Sequence, residues 1–165
     1  MITPTVQETI NEQINKELHS AYIYLSMSAY FASRNLPGFA HWMRVQSGEE
    51  VVHAMKLFDH LLDRGGRVAL TAIAEPPKEF ESPLQAIDAA YHHEQKVTAS
   101  IHRLYEAALK ENDYPAQVML HWFIEEQVEE EKNTSEIVER LKIIGDHPGA
   151  LLALDRELTS RTSES

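Results

Sequence analysis

The sequence predicts an all-α fold, a four-helix bundle with one long crossover and a short fifth helix at the C-terminus. The 7 prolines and 6 glycines cluster at a few points and leave long uninterrupted segments, which favours helices over many short strands. Two short turns imply two antiparallel helix pairs, and the longer segment between Gly65 and Ser82 must cross from one pair to the other. A chain of 165 residues suggests a single domain over residues 1–165.

The first two helices are delimited by a capping pattern and by glycines. Thr5 and Glu8 fit a capping box, so we expect the first helix to begin there. Residues 35–38 (NLPG) form a turn that leads into the second helix, and the two glycines at 65 and 66 end it. Residues 67–82 contain two consecutive prolines and are expected to be an extended crossover.

The remaining helices begin at similar signals. Ser82, Pro83 and Gln85 supply an N-cap, a first-turn proline and an N3 partner for the third helix. Residues 112–115 (NDYP) start the fourth helix, and residues 146–149 (DHPG) introduce the fifth. The tail, residues 160–165, is expected to be disordered. The predicted helices are residues 5–34, 38–64, 83–111, 115–144 and 148–159.

Composition restricts the classes of function. The formal net charge is −11, which argues against nucleic acid as a general partner, because phosphate contacts need basic patches. An acidic protein can attract cations. The charge by itself is equally consistent with a role in solubility alone. The absence of cysteine excludes thiolate metal sites. The polar start and the lack of an apolar run of ~18 residues predict no membrane association and a cytoplasmic location.

Every long helix carries an acidic side chain within its apolar stripe. Residues seven apart on a helix lie nearly on one line. On the first three helices these lines are Ile10, Glu17, Tyr24, Phe31; Met43, Glu50, Leu57, with His53 one turn on; and Ile87, Glu94, Ile101. On the fourth helix they are Leu120, Gln127, Thr134, Leu141 and Phe123, Glu130, Ile137.

The two helix pairs place these polar residues in the same register. Glu17 and Glu50 are 33 positions apart, and so are Glu94 and Gln127. Glu17 to His53 and Glu94 to Glu130 are both 36 positions. Two similar helical hairpins that face each other would bring all six side chains to one place.

Four carboxylates in the apolar stripes predict a metal site. Any single one of them is more commonly a boundary residue whose carboxylate reaches water. Burying an unpaired carboxylate costs several kcal/mol, and these lines contain no lysine or arginine that could pair with it. Oxygen ligands with one imidazole suit Fe, Mn or Zn, and the six side chains suffice for two bridged divalent ions.

These residues lie in stretches that resemble the ferritins, most closely the bacterial non-haem ferritins. The matching stretches are NEQINKELHSAYIYLSMSAYF, GEEVVHAMKLFDHLLDRGG, HEQKVTASI and DYPAQVMLHWFIEEQVEEEK. The resemblance implies a ferroxidase centre with two iron ions inside each subunit. It assigns one iron to Glu17, Glu50 and His53. It assigns the second to Glu50, Glu94 and Glu130, with Gln127 close by and Glu50 as the bridge.

The resemblance also implies a third iron site and a tyrosine beside the centre. The matching acids of the third site are Glu49, Glu126 and Glu129, with Glu130 available to both sites, although this segment can equally be a solvated acidic face. Tyr24 matches a tyrosine that can hydrogen-bond a ligand and donate an electron, and a core tyrosine is the alternative.

Two departures from related families favour a protein without haem. Bacterioferritins bind haem through a Met directly after the bridging acid, where this chain has Val51. Bacterioferritins and rubrerythrins carry a second Glu-x-x-His on the fourth helix, and here Glu130 takes the place of that histidine. Trp122 matches a nearby aromatic residue, but packing explains it as well, so we assign it no role.

The function that follows from the resemblance is iron storage. The expected protein oxidises Fe(II) with O2 or H2O2 and keeps the product as a ferric oxide mineral inside a homo-24-mer shell. Two alternatives remain open at this level. One is a non-catalytic bundle with hydrogen-bonded core acids, which would not bind Fe(II) tightly. The other is a small di-iron oxidoreductase that removes peroxide and does not retain iron.

Overall fold

The computed structural model describes residues 1–163 and contains five helices in that range. They are α1 (Pro4–Ser33), α2 (Pro37–Asp63), α3 (Pro83–Lys110), α4 (Tyr114–Ile144) and α5 (Pro148–Leu158). Helix α1 packs along α2, α3 packs along α4, and α1 also contacts α3. The segment between α2 and α3 contains neither helix nor strand. The all-α bundle with a short fifth helix is therefore confirmed. None of the helices in residues 1–163 is long and apolar enough to cross a membrane.

Proline lies at the start of each of the four long helices, and a capping side chain adds a hydrogen bond at α1, α3 and α4. Ser82 accepts a hydrogen bond from the backbone N–H of Gln85 at 3.1 Å, which confirms the predicted cap of α3. The predicted cap at Thr5 is wrong, because α1 begins at Pro4 and the side chain of Thr3 accepts from the N–H of Val6. Proline lacks an N–H and has a helical φ, so it favours the first helical position and moves the cap to the preceding residue.

The buried apolar residues form two clusters, one toward each end of the bundle. One cluster contains the C-terminal half of α1, including Tyr24 and Phe31, and the other contains its N-terminal turns, including Ile10 and Ile14. Between them, all four long helices contribute buried polar side chains. Polar groups in an interior are stable only with hydrogen-bond or ionic partners, so this layer is where chemistry is expected.

Helix α5 packs against the start of α2 and carries the C-terminal segment back to the bundle. The carboxylate of Asp155 accepts a hydrogen bond from the backbone N–H of Phe39 at 2.9 Å. A Cβ at Gly38 would lie 1.6 Å from the carbonyl oxygen of Asp155, so only glycine allows this approach. Beyond α5, Arg161 lies over the ring of Trp42 at 4.1 Å. The predicted disorder of the tail is therefore wrong at Arg161, whereas residues 164–165 lie outside the described range.

Candidate metal centre

The polar layer brings together the six side chains that were predicted from the sequence to lie at the same level of the bundle. Helix α1 contributes one residue, α2 two, α3 one and α4 two. None of the six is more than 3% exposed. They are Glu17, Glu50, His53, Glu94, Gln127 and Glu130.

The first group joins α1 and α2. One candidate ligand atom each from Glu17, Glu50 and His53 lies within 4.8 Å of the other two. The Nδ1 atom of His53 is 3.4 Å from Oε2 of Glu50 and 4.0 Å from Oε2 of Glu17. Both of these carboxylate oxygens are buried and have no hydrogen-bond partner within residues 1–163. Two such carboxyl oxygens that face an imidazole nitrogen, on carboxyl groups close enough to share a proton, form a donor set suited to a divalent cation.

The second group joins α3 and α4. The phenol of Tyr24 donates to Oε1 of Glu94, and the amide of Gln127 donates to Oε2 of Glu94 at 3.2 Å. With these two bonds both oxygens of Glu94 are already hydrogen-bonded, in contrast to the orphaned oxygens of the first group. Glu130 adds electrostatic repulsion with Glu94 and Glu50.

The acids proposed for a third site lie in three different environments. Oε1 of Glu126 is 3.7 Å from Nε2 of His53, and these two residues form a second potential cation-binding group with Glu130. Glu49 is buried and bound to Arg161, whereas Glu129 is exposed on α4. The structure therefore brings Glu126 to the centre but places Glu129 at the surface.

His53 presents different nitrogens to the two groups. Its Nδ1 faces Glu17 and Glu50, whereas its Nε2 faces Glu126. A metal-ligating histidine commonly donates its other ring N–H to a carboxylate, which fixes the tautomer and the ring orientation. This geometry suits Nδ1 for metal binding and Glu126 for orienting the imidazole.

Trp122 and Phe123 confine the same imidazole. Their ring centroids lie 5.3 Å and 6.2 Å from that of His53, and both rings meet it edge to face. The residue pattern alone does not distinguish a functional role for Trp122 from simple packing. In the structure this side chain forms one wall of the histidine pocket.

Two buried glutamines, Gln13 and Gln46, were missed by sequence reasoning. Gln13 donates to Oε1 of Glu17 at 2.7 Å. Gln46 donates to Oε2 of Glu130 at 2.7 Å and to Oε1 of Glu50 at 3.3 Å, and so links the two groups. Each glutamine lies four residues before an acid on the same helix. That spacing was the available signal, since residues four apart share a helix face.

Burial and mutual repulsion favour the protonated forms of the carboxyl groups. Burial raises the pKa of Glu17, Glu50 and Glu94, and repulsion from neighbouring carboxylates raises the pKa of Glu17 and Glu50 further. Burial, followed by repulsion from Glu94, raises the pKa of Glu130 to about 8. Without a cation, the centre therefore holds protons near neutral pH, and a divalent ion must displace them.

The pKa of the histidine shifts toward its cationic form. Burial by itself would lower the pKa of His53, but hydrogen bonding to Glu126 and the negative charges around the ring raise it overall. Burial, followed by the charge of Glu94, raises the pKa of Tyr24 well above its ordinary value, so this phenol remains a hydrogen-bond donor.

Comparisons with known proteins agree on one family. Residues 7–144 match the family model "Ferritin-like domain". The chain is 38% identical over 161 residues to a bacterial non-heme ferritin of Bacteroides fragilis, covering 98% of this chain and 100% of that protein. It is 34% identical over 165 residues to that of Escherichia coli, with both chains fully covered. A solved open pore ferritin of the archaeon Archaeoglobus fulgidus is 51% identical, with a TM-score of 0.97 and 98% of each chain covered.

Proposed function

Because the chain belongs to the ferritin family, we propose that it oxidises Fe(II) at a di-iron centre within each subunit and stores the Fe(III) as a ferric oxide mineral. The observation that carries this proposal is the pair of orphaned, buried oxygens on Glu17 and Glu50, which face Nδ1 of His53. Iron is here the substrate and the cargo. The residues fit it, because carboxylates and imidazole are suitable ligands for iron and because these two buried oxygens accept no hydrogen bond within residues 1–163.

In this proposal the two iron ions share Glu50. One ion binds Glu17, Glu50 and Nδ1 of His53. The other binds Glu50, Glu94 and Glu130, with Gln127 beside it. The contacts of Glu50 support its bridging role, since Oε2 faces His53 while Oε1 accepts a hydrogen bond from Gln46, which also donates to Glu130.

The reaction transfers one electron from each iron. Two Fe(II) ions give two electrons, which with two protons reduce O2 to H2O2, or reduce H2O2 to two molecules of water. Anionic oxygen ligands stabilise Fe(III) over Fe(II) and so favour oxidation. Carboxyl protons displaced when iron binds leave a proton source nearby. We further propose that Tyr24, whose O–H donates to Glu94, accepts a hydrogen bond from a bound ligand at its phenol oxygen, and that its oxidation would supply one electron and one proton to an oxidant that needs more than the two iron electrons.

We extend the proposal to a third iron ion that leaves the centre toward the mineral. Its ligands are Glu49, Glu126 and Glu129, with Glu130 shared. Support for Glu126 comes from its position beside His53 and Glu130. Haem is not part of the proposal, because the side chain of Val51 offers no atom that can bind iron.

Storage needs a cavity, so the proposal includes self-assembly into a homo-24-mer in the cytoplasm, with the whole chain acting as one unit. Exposed apolar side chains support assembly, because soluble monomers rarely leave many such groups in contact with water. The larger ones on α1, α2 and the crossover are Tyr22, Leu25, Val51, Val52, Met55, Leu62, Leu70 and Ile73.

Size exclusion after aerobic addition of Fe(II) tests the storage function. We expect iron, at many equivalents per chain, to elute with a particle of roughly 450 kDa, the mass of 24 copies of the 18.8 kDa chain. Oxidised iron that precipitates outside the protein would indicate a di-iron oxidoreductase without storage. A protein that binds no Fe(II) tightly would be a passive bundle.

Two substitutions test the site itself. Glu17→Ala and His53→Ala should abolish rapid Fe(II) oxidation, measured by stopped-flow absorbance, and leave the assembly intact. Glu125→Ala is the matched control, since this acid is exposed on α4. Equal oxidation rates in the wild type and in Glu17→Ala would exclude the assigned site.

A further inference from the structure

Arg161 inserts a positive charge at the edge of the acidic centre. Its Nη2 donates to Oε2 of Glu49 at 2.6 Å and to Oε1 of Gln46 at 2.7 Å. Its guanidinium carbon lies 4.1 Å from the ring centre of Trp42. The side chains of Arg161 and Glu49 are only 16% and 10% exposed. A charged hydrogen bond that is largely shielded from water is far stronger than an ordinary surface ion pair.

The contact with Gln46 connects this arginine to the dinuclear centre. Because the amide oxygen of Gln46 accepts from Arg161, its amide nitrogen points inward and donates to Glu130 and Glu50. An amide side chain can present either end to a neighbour, and a purely donating guanidinium selects the oxygen. Arg161 thus fixes which end of Gln46 meets the iron-binding carboxylates.

The same arginine occupies the carboxylate that the third iron ion would need. Oε2 of Glu49 cannot accept from the guanidinium at 2.6 Å and bind a metal ion in the same position. Two cations on one carboxylate also repel each other strongly in a site with little water. Arg161 lies only three residues beyond the end of α5, so its side chain can swing away without unwinding that helix.

We propose that Arg161 is a tethered cation that competes with the third metal ion for Glu49 and thereby sets how many ions the centre retains. The inference rests on the proposed function. With two ions bound, the guanidinium keeps Glu49 neutralised. A third ion binds Oε2 of Glu49 only by displacing Arg161, and this competition weakens the binding of the ion and favours its onward transfer to the mineral.

A purely structural role for Arg161 makes the opposite prediction. If the arginine only held Glu49 and Gln46 in position, removing it would disorder the ligands and weaken the binding of a third ion. Competition instead predicts that removing the arginine strengthens it. The direction of the change therefore separates the two roles.

The test is anaerobic titration of the metal-free, assembled protein with Co(II), followed by calorimetry and by visible absorbance. In Arg161→Gln we expect the third Co(II) ion per chain to bind at least about tenfold more tightly, the ratio expected for the loss of one competing charged hydrogen bond. The affinities of the first two ions should change less than that of the third, because Arg161 reaches their ligands only through Gln46. Arg161→Lys, which retains the charge, should stay close to the wild type. The matched control is Arg140→Gln, which removes another arginine–glutamate pair, between α4 and α5.

The outcomes distinguish this inference from the proposed function. If the wild type fails to bind two Co(II) ions per chain, the dinuclear centre itself is excluded. If it binds two, but the third ion in Arg161→Gln is unchanged, weaker or absent, only the competition is overturned. In a Glu49→Gln background, Arg161→Gln should no longer strengthen the third ion, because the contested carboxylate is gone. An equal gain in that background would also overturn the proposal.

Discussion

Replacing Glu130 with glutamine should stabilise the metal-free protein at alkaline pH and leave its stability at acidic pH nearly unchanged. Burial and repulsion from Glu94 raise the pKa of Glu130 to about 8. Glutamine has nearly the same shape, and its carbonyl oxygen can still accept the hydrogen bond from Gln46. The substitution thus removes the cost of ionising this buried group and keeps most of its packing.

The magnitude and sign follow from proton linkage. An unfolded glutamic acid ionises near its ordinary value of 4.5, whereas Glu130 stays protonated in the fold up to about pH 8. The folded state therefore binds more protons between these limits, and its stability falls as the pH rises. At about 1.36 kcal/mol per pKa unit, the rise in pKa from 4.5 to about 8 corresponds to a total loss of roughly 5 kcal/mol in the free energy of unfolding. Glu94 and Glu50 interact with Glu130 and share part of this electrostatic cost. We therefore expect the free energy of unfolding of Glu130→Gln to exceed that of the wild type by about 2 to 5 kcal/mol at alkaline pH.

Differential scanning calorimetry of chelator-treated protein measures the effect. At pH 8.5 the unfolding temperature of Glu130→Gln should exceed that of the wild type by at least about 4 °C, because 1 kcal/mol corresponds to about 2–4 °C in a chain of this size. At pH 4.5 the two should nearly coincide. Glu125→Gln replaces an exposed acid on the same helix and should follow the wild type at both values. If the unfolding temperatures of Glu130→Gln and the wild type fall by the same amount between pH 4.5 and pH 8.5, the ionisation of Glu130 does not destabilise the fold.

Two further substitutions test how the centre is supported. Gly38→Ala would place a methyl group 1.6 Å from the carbonyl oxygen of Asp155, so we expect α5 to be displaced and the unfolding free energy to fall by at least about 2 kcal/mol. Gly48→Ala, whose Cβ meets nothing within 4 Å, is its control, and equal stability of the two variants in thermal unfolding would refute the reasoning. Gln13→Leu removes the hydrogen bond to Glu17, so the tighter-bound Co(II) ion should lose about tenfold in affinity. Unchanged affinity in calorimetry would mean that Glu17 needs no such support.

The helices and the six central residues were predictable because both follow from periodicity. A carboxylate seven residues from apolar neighbours on each side must face the core if the helix does, and the 33-residue register placed Glu17, Glu50, Glu94 and Gln127 together. The crossover followed from its two consecutive prolines. These features depend on local geometry, which the sequence expresses directly.

The partners of these residues were not predictable, because they depend on rotamers and on long-range contacts. Gln13 and Gln46 are polar residues in core stripes, but only the structure shows which carboxylate each one binds. Arg161 lies 112 positions from Glu49, within a segment of small polar residues that is typical of a disordered tail. The start of α1 had two competing signals, the proline at position 4 and the capping box of Thr5 and Glu8. The pattern of residues alone did not decide between them, and in the structure Thr3 is the cap.

The two halves of the centre have similar register but unequal hydrogen bonding, and this predicts the order in which metal ions bind. In the half formed by α1 and α2, Oε2 of Glu17 and Oε2 of Glu50 have no hydrogen-bond partner in residues 1–163. In the other half, both oxygens of Glu94 already accept hydrogen bonds, which an incoming ion must replace. The first Co(II) ion should therefore bind beside His53, so His53→Ala should remove the tighter of the first two binding steps. Glu94→Ala should mainly weaken the second step. The reverse pattern in an anaerobic titration would show that orphaned oxygens do not set the order, and that the imidazole is less important than the bridging acid.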